Sequence, residues 1–331
     1  MAPPLLDIQN LTKIYGGGFL RREQTVALEN FSMTMGEEGE EPKVITIAGE
    51  SGSGKTTLAN LVLGFITPTE GRILYKGQDI ADMSGSKWID FRREVQAVFQ
   101  DPFGVYNPFY RVDHVFDTMI RRFNLARNHE EAQEITIDAL KVMGLQPSEI
   151  LGKYPHQLSG GQRQRIMIAR AFLLKPRLIV ADEPVSMIDA SLQVRILDVL
   201  LRLREEFGIP ILYITHDLAT AYQISDEIVI LYLGWVMEKG GIEAVMQDPQ
   251  HPYTQLLVDS IPSPDPTEKW EQSLDLTSIE EVRTSGVGEG CRYVQRCPYM
   301  EQECLNAPPP LYKVGPNHYS SCYRHKGQPE G

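Results

Sequence analysis

The first 290 residues of this 331-residue chain contain no cysteine; all four, Cys291, Cys297, Cys304 and Cys322, fall in the tail. That distribution excludes a disulfide-stapled body, and in a reducing compartment it points to metal ligation more than to disulfides. Long apolar runs are also missing: nowhere do about 20 uncharged apolar residues follow one another, so no membrane-spanning helix is expected. The N-terminus, Met-Ala-Pro-Pro-Leu-Leu-Asp, lacks the basic and apolar regions of a secretory signal, which predicts a cytoplasmic protein that meets a membrane only through partners. Positive charge is in deficit, with 32 Lys and Arg against 44 Asp and Glu and a net charge of −12. A broad basic face for nucleic acid would have to be built against that balance, so nucleic acid is not expected as a partner.

What is present is a phosphate-binding pattern. Gly49-Glu50-Ser51-Gly52-Ser53-Gly54-Lys55-Thr56-Thr57 fits G-x-x-x-x-G-K-[ST]. In such a loop the glycines let backbone N–H groups approach a triphosphate, the Lys reaches its outer phosphates and the hydroxyl binds Mg²⁺. The context is right: Val44–Ala48 is a β-branched run that enters the loop, and residues 56–64 read as the helix that follows, whose N-terminus adds partial positive charge. Further apolar runs at 177–181, 210–215 and 227–233 read as buried strands of a mostly parallel sheet. Between about 100 and 176 the spacing turns helical, with helices expected over 112–124 and 130–143, so a helical subdomain is inserted in an α/β core. The acidic stretch 36–42 reads as a solvated turn. After Asp248 the chain becomes Pro-rich, with Ile261-Pro262-Ser263-Pro264-Asp265-Pro266 marking a linker into a C-terminal module.

Leu158-Ser159-Gly160-Gly161-Gln162 has capping-box spacing, Ser159 at the cap and Gln162 three residues on, with a helix continuing over 163–174 until Pro176. Its two glycines leave first-turn amides open to a phosphate. This string resembles the signature of the ATP-binding-cassette (ABC) superfamily, and with the Gly-rich loop it narrows the reading to one kind of ATPase. Leu178-Ile179-Val180-Ala181-Asp182-Glu183 resembles the Walker B strand of that family. The resemblance implies a RecA-like P-loop core with an antiparallel β edge, spanning residues 1–250. It implies ATP and Mg²⁺ as cofactors, with Thr56, Gln100 and Asp182 at the metal and Glu183 as the general base that orients the attacking water. Gln100 resembles the Q-loop glutamine, His216 the switch histidine at the γ-phosphate, and Tyr15 the aromatic that stacks on adenine, with Phe19 the competing choice. Ser159, Gly160, Gly161 and Gln162 would cap the ATP held by the other cassette of a dimer. Ser186-Met187-Ile188-Asp189 stands where the family has Ser-Ala-Leu-Asp, so both polar positions, Asp189 included, are kept.

Residues 251–331 resemble the C-terminal extension of ATP-binding subunits of dipeptide and oligopeptide importers, through His251-Pro252-Tyr253-Thr254-Gln255-Leu256-Leu257 and the Cys-bearing tail. Gln100-Asp101-Pro102-Phe103-Gly104-Val105-Tyr106-Asn107-Pro108 also fits that group, where Ser-Leu is more usual than Val105-Tyr106. The resemblance implies two permease subunits, a second cassette that is more often a paralogue than an identical copy, and a solute-binding protein outside the cell that delivers cargo. The subunit would sit peripherally on the cytoplasmic face of the membrane. Oligosaccharide importers belong to the same group, and an exporter motor or a soluble ABC ATPase acting on nucleic acid are the remaining readings. The four cysteines form no C-x-x-C pair, which suits a zinc ribbon poorly, whereas iron–sulfur clusters accept wider spacing. The resemblance implies a 4Fe-4S cluster, with zinc or unmetallated cysteines as the alternatives; His318 and His325 could substitute as ligands but read as surface residues.

Overall fold

The structure is a computed structural model that describes residues 2–16, 24–102, 104–261 and 290–327. Phe19, Phe103 and the Pro-rich linker from Pro262 onward lie outside the described residues.

In chain order the body runs β1 (Leu6–Gly16), β2 (Gln24–Met35), β3 (Val44–Ala48), α1 (Lys55–Val62), β4 (Glu70–Tyr75), β5 (Gln78–Asp79), α2 (Gly85–Glu94) and β6 (Val95–Val98). The helical insert follows as α3 (Asp113–Phe123), α4 (His129–Val142), α5 (Pro147–Ile150) and α6 (Gly160–Phe172). The chain then returns to the sheet with β7 (Leu178–Asp182), α7 (Ala190–Glu205), β8 (Ile211–Thr215), α8 (Leu218–Ile224), β9 (Glu227–Tyr232) and β10 (Trp235–Gly241). Beyond it lie α9 (Ile242–Gln247), α10 (Pro252–Asp259), α11 (Gln302–Asn306), β11 (Tyr312–Gly315) and β12 (His318–Ser320).

Two sheets result. One is antiparallel, ordered β2-β1-β4-β5, and the other is ordered β11-β12-β10-β9-β3-β8-β7-β6. Within the larger sheet, β9, β3, β8, β7 and β6 are parallel, and β10, β12 and β11 extend it antiparallel at one edge. The alternation of the parallel strands explains why both faces are covered. Ile45, Ile47, Leu178, Val180, Leu212 and Ile214 point to the face that packs on α1 and the antiparallel sheet. Ile179, Ala181, Ile211 and Tyr213 point to the other, against the helical insert and α7. A parallel sheet wound this way leaves its ligand crevice at the carboxyl ends of the strands. Those ends carry the loop after β3, Asp182 at the end of β7 and His216 just after β8.

The tail is built into this sheet. β12 pairs with β10 through Glu238–Ser320, Lys239–Tyr319 and Gly240–His318. His318 and His325 are buried, not on the surface as the sequence suggested. The reason for His318 is its partner: Nε2 lies 2.6 Å from Oε1 of Glu238, itself fully buried on β10. The acidic stretch 36–42 is a turn with its glutamates exposed, as expected.

Candidate ATP site

The loop after β3 needs its glycines. Gly49 has φ +147°, and a Cβ there would stand 2.2 Å from the Leu231 carbonyl oxygen. Gly54, at the cap of α1, has φ +108°, and a Cβ would meet the Ala27 carbonyl oxygen at the same distance. No side chain caps α1, so its first-turn amides stay open beside the loop. Gly52 has φ +81°, Ser51 is exposed, and Ser53 is fully buried with its hydroxyl unpartnered. The Lys55 side chain folds back over the loop and donates to the carbonyl oxygens of Gly49 at 2.7 Å and Glu50 at 2.8 Å. Burial lowers its pKa, opposed by the charges of Glu183, Asp182 and Glu50. Thr56 and Thr57 open the helix, and the Thr56 hydroxyl lies beside Asp182, whose pKa it pulls down.

Asp182 is the most perturbed acid of the site. Burial and then the neighbouring Glu183 push its pKa up to about 6, against the pull of Thr56 and Lys55. Its Oδ1 is buried with no hydrogen-bond partner. A carboxylate with an orphaned oxygen, paired with a hydroxyl and facing an open phosphate loop, has the hard oxygen donors that suit Mg²⁺.

Around the Glu183 carboxylate the structure gathers two side chains, one from the end of β6 and one from the end of β8. Gln100, after β6, donates Nε2 to Oε2 at 3.0 Å, and His216 Nδ1 lies 3.0 Å from Oε1. Glu183 itself has φ +47° and donates its N–H to the Ile214 carbonyl at 2.8 Å, which fixes the turn where β7 ends beside β8. Its carboxylate is thus held by both neighbours at the mouth of the phosphate loop.

The capping box at Ser159 forms as its spacing requires: Ser159 Oγ accepts from Gln162 N–H at 3.2 Å, and Gln162 Oε1 accepts from Ser159 N–H at 3.0 Å. The helix begins at Gly160, as a cap at Ser159 requires, with the two glycines forming its first turn. Gly161 leaves room for Leu192 of α7, 3.1 Å from where a Cβ would stand. The fully buried Gln164 donates to the Phe99 carbonyl at 3.2 Å, tying α6 to the strand that carries Gln100. Tyr106 completes the tie, its buried hydroxyl donating to the Arg163 carbonyl at 2.8 Å. Asp189 is exposed before α7 and makes no side-chain cap there. Tyr15 is 42% exposed near the end of β1, with Lys13 Nζ 5.2 Å from its ring centre.

Comparisons with known proteins give the family. Residues 28–186 match the ABC transporter family, and residues 237–304 match the oligopeptide/dipeptide transporter C-terminal region. A putative peptide import ATP-binding protein of Brucella ovis is 38% identical over 321 residues, covering 97% of this chain and 98% of its own. The chain belongs to the ABC transporter ATP-binding family. The putative oligopeptide transport ATP-binding protein YkfD of Bacillus subtilis is 35% identical, covering 98% of this ABC subunit and 96% of its own length. Among solved structures, the ATP-binding cassette MJ0796, in a dimeric post-hydrolysis state bound to ADP and Pi, has a TM-score of 0.62 at 30% identity. It covers 72% of the ABC subunit and 98% of that cassette. Among the described residues no helix is long and apolar enough to cross a membrane.

Cys291, Cys297, Cys304 and Cys322 are free and half-buried, and all four line one small cavity with His251 and Tyr293. Burial, with the neighbouring thiols adding to it, pushes the Cys291 thiol up to about 12. Among the described residues, no three His, Cys, Asp or Glu side chains form a group that could hold a metal ion.

Two residues that touch this ABC ATP site were not assigned a role from the sequence. The Tyr253 hydroxyl accepts the Glu50 N–H at 2.9 Å, and Arg296 Nη1 lies 3.0 and 3.1 Å from the two carboxylate oxygens of Glu50. Tyr253 belongs to the His-Pro-Tyr string, which gave a signal without a role; Arg296 gave none.

Proposed function

We propose that the chain is an ATP-hydrolysing subunit of an importer for peptides, working as one of two cassettes against two permease subunits at the cytoplasmic face of the membrane. The observation that carries this reading is the assembled hydrolytic set: Lys55 in the loop, Thr56 and Asp182 together, and Gln100 and His216 on the two oxygens of Glu183. In this reading the Gly49–Thr57 loop holds the triphosphate, with the amides of Gly52, Ser53 and Gly54 around it. Thr56 and Asp182 hold Mg²⁺, with Gln100 sensing it. Tyr15 stacks on the adenine. Glu183 takes the proton of the attacking water, and His216 keeps Glu183 oriented and faces the γ-phosphate. Ser159, Gly160, Gly161, Gln162 and Asp189 serve the ATP of the neighbouring cassette, for which the dimeric state of MJ0796 is the support. An isolated copy is then nearly idle.

The peptide cargo rests on the match of residues 237–304 and on the relatives' names. A groove walled by Trp88, Phe99, Met119 and Phe123 and edged by Arg92 and Arg122 adjoins Gln100. Its aromatic side chains and its arginines suit an acidic, amphipathic cytoplasmic segment of a permease. A paralogue fits as the second cassette, and the external solute-binding protein acts only through the permeases. Reconstitution with its permeases and solute-binding protein is the test. ATP-dependent uptake of labelled peptides, lost with Lys55→Ala, is expected; uptake of oligosaccharides but not peptides would replace the cargo.

For the tail we infer a structural 4Fe-4S cluster on Cys291, Cys297, Cys304 and Cys322. What supports it is that the four thiols line one cavity and that no C-x-x-C pair stands among them. Zinc draws its four ligands to about 2.3 Å from one centre, whereas a cubane binds each thiolate to a different iron. Bound there, it would cross-link segments that otherwise share little core. Anaerobic purification should yield a brown protein with about four irons and four sulfides per chain if the Cys₄ ligation holds. A colourless protein with stoichiometric zinc overturns it.

A further inference from the structure

The C-terminal extension grips the phosphate loop at one residue. Glu50 is bonded through its backbone by Tyr253 and through its carboxylate by Arg296, residues 203 and 246 positions away in sequence. Both grips are themselves fixed. Tyr253 is fully buried, its ring 4.7 Å from that of Tyr232 and 5.4 Å from that of Tyr293. Its place at the start of α10 is set by His251, whose Nδ1 accepts the Tyr253 N–H at 3.0 Å. The Arg296 side chain is 6% exposed, with its guanidinium 5.8 Å from the Tyr232 ring centre and 5.7 Å from that of Tyr293. A cation buried between aromatic faces depends on its counter-ion, and that counter-ion is a loop residue. Glu50 then passes the constraint on, since its carbonyl oxygen is one of the two that accept Lys55 Nζ.

A loop with glycines at positions 49, 52 and 54 has conformational freedom to lose when ATP binds. Each loop residue already fixed spares an entropy cost comparable with about tenfold in affinity. We propose that Tyr253 and Arg296 are positioning residues for ATP binding: through Glu50 they brace the phosphate loop in the shape that accepts the triphosphate, which makes the extension part of the nucleotide site. Arg296 directly precedes Cys297, so whatever orders that cysteine orders the brace. This rests on the reading of Gly49–Thr57 as the ATP loop, and Lys55→Ala separates the two: it should abolish nucleotide binding whether or not the brace acts.

The test is equilibrium binding of AMP-PNP with Mg²⁺ to the full chain by calorimetry, beside the melting temperature of each variant. Arg296→Gln and Glu50→Gln should each weaken binding about tenfold, and Tyr253→Phe, which removes only a hydroxyl, about fivefold. Arg296→Lys should recover part of the loss. The Arg296→Gln/Glu50→Gln double variant should be no weaker than the worse single one, because both cut the same contact. In the assembled transporter the Tyr253→Phe change should fall on KM for ATP and not on kcat. Affinity within twofold of wild type in folded Tyr253→Phe and Glu50→Gln chains overturns the proposal, as do losses that add in the double variant. Should Arg296→Gln fail to fold, those two variants still decide.

Discussion

His216 Nδ1 lies 3.0 Å from Oε1 of Glu183, while the other oxygen of that carboxylate is held by Gln100. A general base held from two sides is aimed before substrate arrives, and geometry of this kind serves proton abstraction from a positioned water. Glu183→Gln should therefore retain ATP binding and lose turnover by at least about 10²-fold, the low end of what a positioned base contributes. Binding by calorimetry beside single-turnover hydrolysis in the assembled transporter measures both. Steady-state hydrolysis equal to wild type would rule out Glu183 as the base.

Thr56 and Asp182 meet across the start of α1 and the end of β7, leaving Asp182 Oδ1 buried and unpartnered. Thr56→Val preserves the shape of the side chain and deletes the hydroxyl. The Mg²⁺ concentration for half-maximal hydrolysis should rise about tenfold, as for loss of one charge-assisted contact. ATP binding in EDTA should change little. A Mg²⁺ titration of hydrolysis checks the first, and a variant with an unaltered titration curve would remove Thr56 from the metal.

How far the sequence could be read depended on chain distance. The phosphate loop and the Asp182-Glu183 pair were legible because their chemistry is packed into a few consecutive residues after a β-branched run. The capping box at Ser159 was legible for the same reason. Gln100 and His216 are single residues at strand ends, and only family resemblance separated them from ordinary turn residues. The contact of Arg296 with Glu50 was invisible: Glu50 fills a variable position of the phosphate-loop pattern, Arg296 has no local pattern, and nothing in a linear reading brings them together. The burial of His318 was missed because its partner, Glu238, stands on a strand 80 residues earlier. The antiparallel strands β1, β2 and β4 were implied only as an antiparallel β edge by the resemblance, and their bounds were not read from the residues, since register shifts interrupt the pairing of β1 with both neighbours.

Ser159→Ala removes the acceptor for Gln162 N–H, a loss worth about 1 kcal/mol of helix-cap stability. For a domain of this size the melting temperature should fall by about 2–4 °C. The functional consequence should be asymmetric. The isolated chain should bind ATP as before if, as proposed, Ser159 serves the nucleotide of another cassette, while the assembled transporter loses turnover. Reduced ATP affinity in the isolated chain would show that the signature helix serves its own loop instead.

Glu238 accepts the backbone N–H of Gln250 on Oε1 and that of His251 on Oε2, each at 2.8 Å, and Oε1 also meets His318 Nε2. One fully buried side chain thus knots β10, the turn before α10 and the β12 edge strand together. Glu238→Gln keeps the volume but offers a single acceptor oxygen, so one backbone N–H must face an NH₂ group with water excluded. Breaking a buried pair in this way costs about 3 kcal/mol. The loss should be local to the tail: limited proteolysis should release a C-terminal fragment carrying the β12 strand sooner than in wild type. If Tyr253 depends on the same knot for its place at the head of α10, AMP-PNP affinity should fall together with the protease resistance. A Glu238→Gln chain that keeps wild-type proteolysis kinetics would show that the knot contributes little to holding the tail.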